Sequence, residues 1–224
     1  MGEHLILWDV DGTLLRAGDI GAAVFDDAVE AVLGRRPPER IRMSGKTDPL
    51  IVSEYLDMLG IERRPELVER VLADLEAGLA RASAAGVLQA EGAACGGVPE
   101  LLAELDAAEG VVQSLLTGNV YANAVVKVTA YGLDKWLDLE IGAYGSDSMD
   151  RNQLVPIALE RVERLRGMTV RPSDTWIIGD TPRDLACARG GRRQVPARRH
   201  RALHLRRVGG HRGGRGVRRS VRHR

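Results

Sequence analysis

His4-Leu5-Ile6-Leu7-Trp8-Asp9-Val10-Asp11-Gly12-Thr13 is the stretch that decides the fold. A short apolar run closed by acids and a glycine reads as a buried strand leading into a turn. The same pattern returns further along the chain. Val111 to Leu116 ends at Thr117-Gly118-Asn119, and Thr175 to Ile178 ends at Gly179-Asp180-Thr181. Leu139 to Ala143 is predicted as one more strand. Helical spacing covers about 19–34 and 48–86, with starts at Thr47-Asp48-Pro49 and near Pro65. Pro99 to Ala108, Asn123 to Tyr131 and Arg151 to Leu165 are predicted helices, and Glu91 to Gly97 a Gly-rich connector. Strands alternating with helices after residue 90 give an α/β fold on a parallel sheet. In such sheets ligands sit beyond the carboxyl ends of the strands, where the polar clusters fall here. The helical block 16–88, inserted after the first strand, is predicted to be a cap on a core made of 1–15 and 89–188.

Two absences narrow the chemistry. His4 is the only histidine before residue 200, so a Ser-His-Asp or Cys-His apparatus is excluded, as is a His-rich zinc site. Neither a phosphate-binding G-x-x-x-x-G-K-[ST] nor a strand-linked G-x-G-x-x-G occurs. Carboxylates remain as the catalytic resource. Asp9 and Asp11 lie two apart at a strand end, on one side of an extended chain. Two close carboxylates either share a proton or bind a cation, and oxygen-only ligands suit Mg²⁺. The alternative is an ordinary turn closing a strand. Thr117, Gly118 and Asn119 suit a phosphate oxygen, or equally a helix cap. Asp180 could complete a cation site, with Asp184 as a first-turn helix acid.

The combination is more specific than its parts. DVDGT at a first strand, LLTGN at a later one and GDTPRD at the next closely resemble the haloacid dehalogenase superfamily of phosphohydrolases, over about 1–188. The resemblance implies a Rossmann-like α/β core with an inserted α-helical cap, and a phosphatase of small phosphomonoesters. It implies Asp9 as the nucleophile that forms an aspartyl-phosphate, and Asp11 as general acid and then base. Thr117 would bind the transferring phosphoryl group beside Gly118 and Asn119. Mg²⁺ would be held by Asp9, Asp11 through its backbone carbonyl, and Asp180, with Asp184 supporting. The family also needs a cation before its GD motif; Arg151 matches best, ahead of Lys127, whose helix comes early. An acid at Asp11 points away from the dehalogenases, because an alkoxide leaving group needs a proton. The insert resembles the small cap of phosphoglycolate phosphatase-like members, and Ser44-Gly45-Lys46-Thr47-Asp48 their substrate-facing loop, with Lys46 toward the far anionic end of the substrate. A sugar phosphomutase of the same superfamily is the alternative activity.

The whole chain has 224 residues, 32 Lys+Arg, 31 Asp+Glu and a formal charge of +1. That balance hides two unlike parts. Residues 189–224 carry 14 Arg and no acid, leaving a net −13 on the rest. Three readings compete for this Arg/Gly-rich tail: a basic arm for nucleic acid, a disordered solvated terminus, and a stretch read out of frame. Its residues are almost all encoded by codons beginning with G or C, as a one-base shift of G+C-rich coding DNA produces. Codons can be chosen for Gln194 to Arg224 so that the neighbouring frame encodes an apolar strand, a helix and an acidic close. The out-of-frame reading is adopted, so nucleic acid is not expected as a partner. Nothing in the tail replaces an apolar strand, so the sheet is expected to end at an open edge. Two cysteines, Cys95 and Cys187, fit a reducing compartment. The absence of an apolar run near roughly 20 residues argues against membrane partners, and a cytoplasmic location follows. The expected partner is a small phosphorylated metabolite.

Overall fold

A computed structural model describes residues 3–189 and the strand 204–208. The strands are β1 (His4–Trp8), β2 (Leu15–Arg16), β3 (Ala93–Ala94), β4 (Val111–Leu115), β5 (Thr175–Gly179) and β6 (His204–Val208). The helices are α1 (Ile20–Leu33), α2 (Asp48–Met58), α3 (Pro65–Ala84), α4 (Val87–Glu91), α5 (Val98–Asp106), α6 (Tyr121–Ala130), α7 (Leu154–Arg166) and α8 (Pro182–Arg189). Pro49 and Pro65 sit in the first turns of α2 and α3, where a missing N–H leaves no bond unmade.

The main sheet has the order β4-β1-β5-β6, and β1 runs parallel to both of its neighbours. Trp8 stands opposite Leu115 on one side and Ile178 on the other. The three strand ends are therefore level, and the residues that follow them meet above the sheet. Alternation along β1 divides the core. Ile6, Trp8 and Val10 face one apolar cluster with Leu102 of α5 and Val128 of α6, while Leu5 and Leu7 face a second with Leu154, Ala158 and Val162 of α7. The first cluster runs on without interruption into the inserted helices, through Phe25, Ile51, Tyr55, Leu75 and Leu79. No described helix is long and apolar enough to cross a membrane.

Four features depart from the sequence-based expectation. Leu139 to Ala143 is not a strand. Asp138 accepts a hydrogen bond from the Glu140 N–H and turns Leu139–Ile141 into a 3₁₀ helix. Only Ala143 pairs with the sheet, beside Leu116. The Arg151 segment likewise begins as a 3₁₀ turn, Arg151–Gln153, before α7. The connector 91–97 contains β3, which pairs antiparallel with β2 at the junction of insert and core. Finally, the β5 edge is not open, because β6 lies antiparallel along it from Thr175 to Gly179. Edge pairing uses backbone N–H and C=O groups, which every non-proline residue carries, so it needs no apolar strand. The rest of the tail, and with it the out-of-frame or disordered reading, lies outside the described residues.

Candidate active site

The site begins where β1 stops. Asp9 is 4% exposed, and its N–H bonds to the Ile178 carbonyl at 2.8 Å, which fixes the backbone against β5. The chain then turns within three residues, with Thr13, Leu14 and Leu15 all donating to the Val10 carbonyl. Gly12 makes this possible in two ways. Its φ is 83°, a left-handed value costly for other residues. A methyl there would also lie 2.8 Å from Cγ of Asp180. Glycine thus lets the β1 turn and the β5 turn close on one another.

Asp9, Asp180 and Asp184 each bring one carboxylate oxygen within 4.8 Å of the others. They come from the ends of β1 and β5 and the first turn of α8. Asp184 also accepts from the Thr181 N–H at 2.9 Å and hydroxyl at 2.6 Å, and so is held rigidly. Arg151, 7% exposed, reaches in from the 3₁₀ turn before α7. It contacts Asp184 at 2.5 Å and Asp9 at 3.1 Å. Three carboxylates against one guanidinium leave net negative charge in an oxygen-only, closely spaced donor set, which fits Mg²⁺ better than a softer ion. Burial pushes the Asp9 carboxyl up to about 6; Arg151 opposes this, while Asp184 and Asp11 add to it. Burial also raises Asp180, with Asp184 reinforcing it.

Asp11 has a different environment. Lys127 holds both its oxygens, at 2.8 and 2.7 Å, and Asn119 donates to it at 2.7 Å. Burial alone would raise its carboxyl, but the Lys127 charge and these bonds outweigh burial and hold it below the usual range. Asn119 also donates to Thr117 Oγ1 at 2.9 Å and accepts from Lys127 at 2.7 Å. Lys127 is therefore no solvated helix residue: it is 7% exposed and aimed at the site. The two candidate cations are not rivals in space, since Arg151 serves Asp9 and Lys127 serves Asp11.

The inserted helices close over this cluster. The Asp48 N–H bonds to the Gly118 carbonyl at 2.8 Å, and its carboxylate accepts from the Val120 N–H at 2.9 Å. Thr47 donates to the Met149 carbonyl at 2.8 Å. Gly118 is a glycine of close approach, since a methyl there would overlap the Lys46 carbonyl. Lys46 itself lines the space beneath the insert and is ion-paired there with Glu54. Burial raises Asp48 to about 6, against the pull of Lys127 and the Val120 N–H. Between core and insert lies a cavity of about 580 Å³, reached by Asp9, Asp11, Thr117, Lys127, Arg151 and Asp180. Its insert side carries the apolar Phe25, Met43, Ile51, Leu75 and Leu79 next to polar residues that include Lys46 and Asp48. The sequence-based reading missed Asp48 as a latch and Asn123 as a lining residue. The four-residue steps from Asn119 to Asn123 to Lys127 were the available signal.

Comparison with known proteins gives a consistent picture. The family model described as haloacid dehalogenase-like hydrolase matches residues 6–189. A hydrolase from Pseudomonas syringae superposes with a TM-score of 0.63 at 21% identity, covering 84% of this chain and 80% of that one. CbbY from Rhodobacter sphaeroides in complex with phosphate gives 0.60 at 19%, covering 84% and 82%. A predicted phosphoglycolate phosphatase from Haemophilus somnus gives 0.57 at 18%, covering 84% and 82%. These likenesses are of fold. No curated relative matches the sequence.

Proposed function

From the premise that this chain belongs to the haloacid dehalogenase-like hydrolase family, we propose that it is a Mg²⁺-dependent phosphatase of a small phosphomonoester. The observation that carries this reading is the separation of two carboxylates, the buried Asp9 and the more exposed Asp11, into two electrostatic settings. Asp9 faces Arg151 and the Asp180–Asp184 pair, whereas Asp11 faces Lys127 and Asn119.

Asp9 attacks the phosphorus, the ester C–O–P link breaks at the P–O bond, and an aspartyl-phosphate results. Splitting one displacement into two lowers each barrier. Arg151 lies beside Asp9 and can meet phosphate oxygens with its planar fork. Its Nε is buried without a partner among the described residues, which leaves a donor for an incoming group. Thr117 Oγ1 accepts from Asn119, which turns its proton toward the cavity for a phosphoryl oxygen. Asp180 and Asp184 with Asp9 would hold Mg²⁺, which supplies charge neutralisation between a carboxylate nucleophile and an anionic ester.

Asp11 is held ionised by Lys127, the state needed to take a proton from the water that hydrolyses the aspartyl-phosphate. For the first half-reaction it must carry a proton for the leaving alkoxide. A phosphate dianion arriving beside it raises its affinity for that proton, so substrate binding itself prepares the acid. Two unpaired cysteines accord with a cytoplasmic setting. The direct test is Asp9→Asn assayed with p-nitrophenyl phosphate in Mg²⁺. Turnover should vanish while the thermal midpoint is kept, and undiminished turnover would refute the assignment.

A further inference from the structure

Asn123 is 3% exposed and lines the cavity, yet its side-chain Oδ1 has no hydrogen-bond partner among the described residues. Its Nδ2 donates no hydrogen bond there either. Its neighbours on the same face are fully engaged: Lys127, one turn further along α6, and Asn119, just before the helix, both close on Asp11. Asn123 thus lies on the helix face between the two side chains that hold Asp11, the proposed acid for the leaving alcohol. A buried amide left unpaired costs a few kcal/mol at most sites, and alanine or leucine in a helix interior would avoid that cost. The position makes physical sense if the amide is paired in the substrate complex.

The charges around it restrict the partner. Among the described residues, three of the four cations that line the cavity already have an acid: Lys46 has Glu54, Lys127 has Asp11, and Arg151 has Asp9 and Asp184. Arg16 is exposed at the rim, and Asp19 and Asp48 also line the space. The opposite wall is the apolar set Phe25, Met43, Ile51, Leu75 and Leu79. Such a chamber disfavours a second anionic group beyond the phosphate. A volume of 580 Å³ falls within the roughly 300–1,000 Å³ of small-ligand sites, ample for a body larger than two carbons.

We infer that Asn123 is a specificity-determining residue whose amide bonds a hydroxyl of the leaving alcohol, and that the substrate is the monophosphate of an uncharged, hydroxyl-bearing alcohol of the sugar or polyol class. The inference rests on the phosphatase reading and deepens it.

The experiment compares wild type with Asn123→Leu, and with Asn123→Ala should leucine overfill the site, on three probes in Mg²⁺. These are glucose 6-phosphate, 2-phosphoglycolate and p-nitrophenyl phosphate, whose aryl group lacks a hydroxyl. Wild type should prefer glucose 6-phosphate to 2-phosphoglycolate. The variants should lose about tenfold or more in kcat/KM on glucose 6-phosphate and stay within about twofold on the aryl ester. The ligand-free thermal midpoint of Asn123→Leu should hold or rise, since an unpaired polar group is removed. A loss equal on all probes, no loss on any, or a preference for 2-phosphoglycolate overturns the inference and leaves the phosphatase reading standing. Wild type inert toward all three overturns both.

Discussion

Gly118→Ala is the perturbation that most directly tests how the insert sits on the core. Gly118 is not among the glycines of positive φ, so alanine meets no backbone strain there. On backbone entropy alone the change would stabilise the protein by about 0.4–1 kcal/mol. Contact argues the opposite sign. The added methyl overlaps the Lys46 carbonyl oxygen and lies 2.8 Å from its carbon and 3.0 Å from Thr47 Cα. Carbon pairs rest at about 3.5–4.0 Å, so the 46–48 loop must retreat by about an ångström. That motion pulls apart the Asp48 N–H to Gly118 carbonyl bond and the Val120 N–H to Asp48 bond, both now near 2.9 Å. At about 0.5–1.5 kcal/mol each, the loss is about 1–3 kcal/mol, matching the usual cost of overpacking. The thermal midpoint should fall by about 3–10 °C. An ångström of misplacement at a catalytic cluster costs about 10² in rate, so kcat/KM should fall by about that factor on every substrate alike. Differential scanning calorimetry and p-nitrophenyl phosphate kinetics read both. A variant with a raised midpoint and wild-type kinetics would show that the insert does not bear on Gly118 as described.

Other outcomes follow from the electrostatics. Arg151→Leu leaves Asp9 and Asp184 buried without their cation, which should cost about 3–5 kcal/mol of stability and about 10²–10³ in kcat/KM. Because Arg151 opposes the effect of burial on Asp9, the acid limb of the pH–rate profile should also move upward; an unmoved limb contradicts the pairing. Asp48, raised to about 6 in the fold, favours folding fully below its unfolded value near 4. That contribution is lost as pH rises through 6, so wild type should weaken against Asp48→Asn by about 3 kcal/mol between pH 4 and 6 and not beyond. Parallel denaturation curves at both pH values would exclude it. A chelator should abolish turnover and added Mg²⁺ restore it, and Asp180→Asn should raise the Mg²⁺ needed for half-activity at least about tenfold.

The strands that carry the site were legible because a buried parallel strand must be short, apolar and ended by a turn, as β1, β4 and β5 are. Their motifs also name the acids that converge. What could not be read were features made by single backbone contacts. Leu139 to Ala143 has strand composition, yet one Asp138 side-chain bond curls it into a 3₁₀ turn and leaves only Ala143 on the sheet. The β2–β3 pair is two residues long on each side, below any periodicity. The division of labour between Lys127 and Arg151 was hidden as well. Chain order placed Lys127 on a helix too early for a phosphate cation, and nothing in the spacing said that it would turn to Asp11 instead. Lys46 lines the cavity as its loop motif led one to expect, but its ion pair with Glu54 on α2 is a contact that motif does not encode.

The order β4-β1-β5-β6 also governs when this site can exist. β1 leads into Asp9, the proposed nucleophile, but its hydrogen-bonding partners are encoded about a hundred and about a hundred and seventy residues later. During synthesis, the helices of the insert can form early from local contacts, whereas β1 waits with its apolar run uncovered. β4 then takes one edge, and only the emergence of β5 brings Asp180 to Asp9. Any nascent chain stopped short of residue 180 thus holds the insert, β1 and Asp9 without the carboxylate cluster that Asp180 and Asp184 complete.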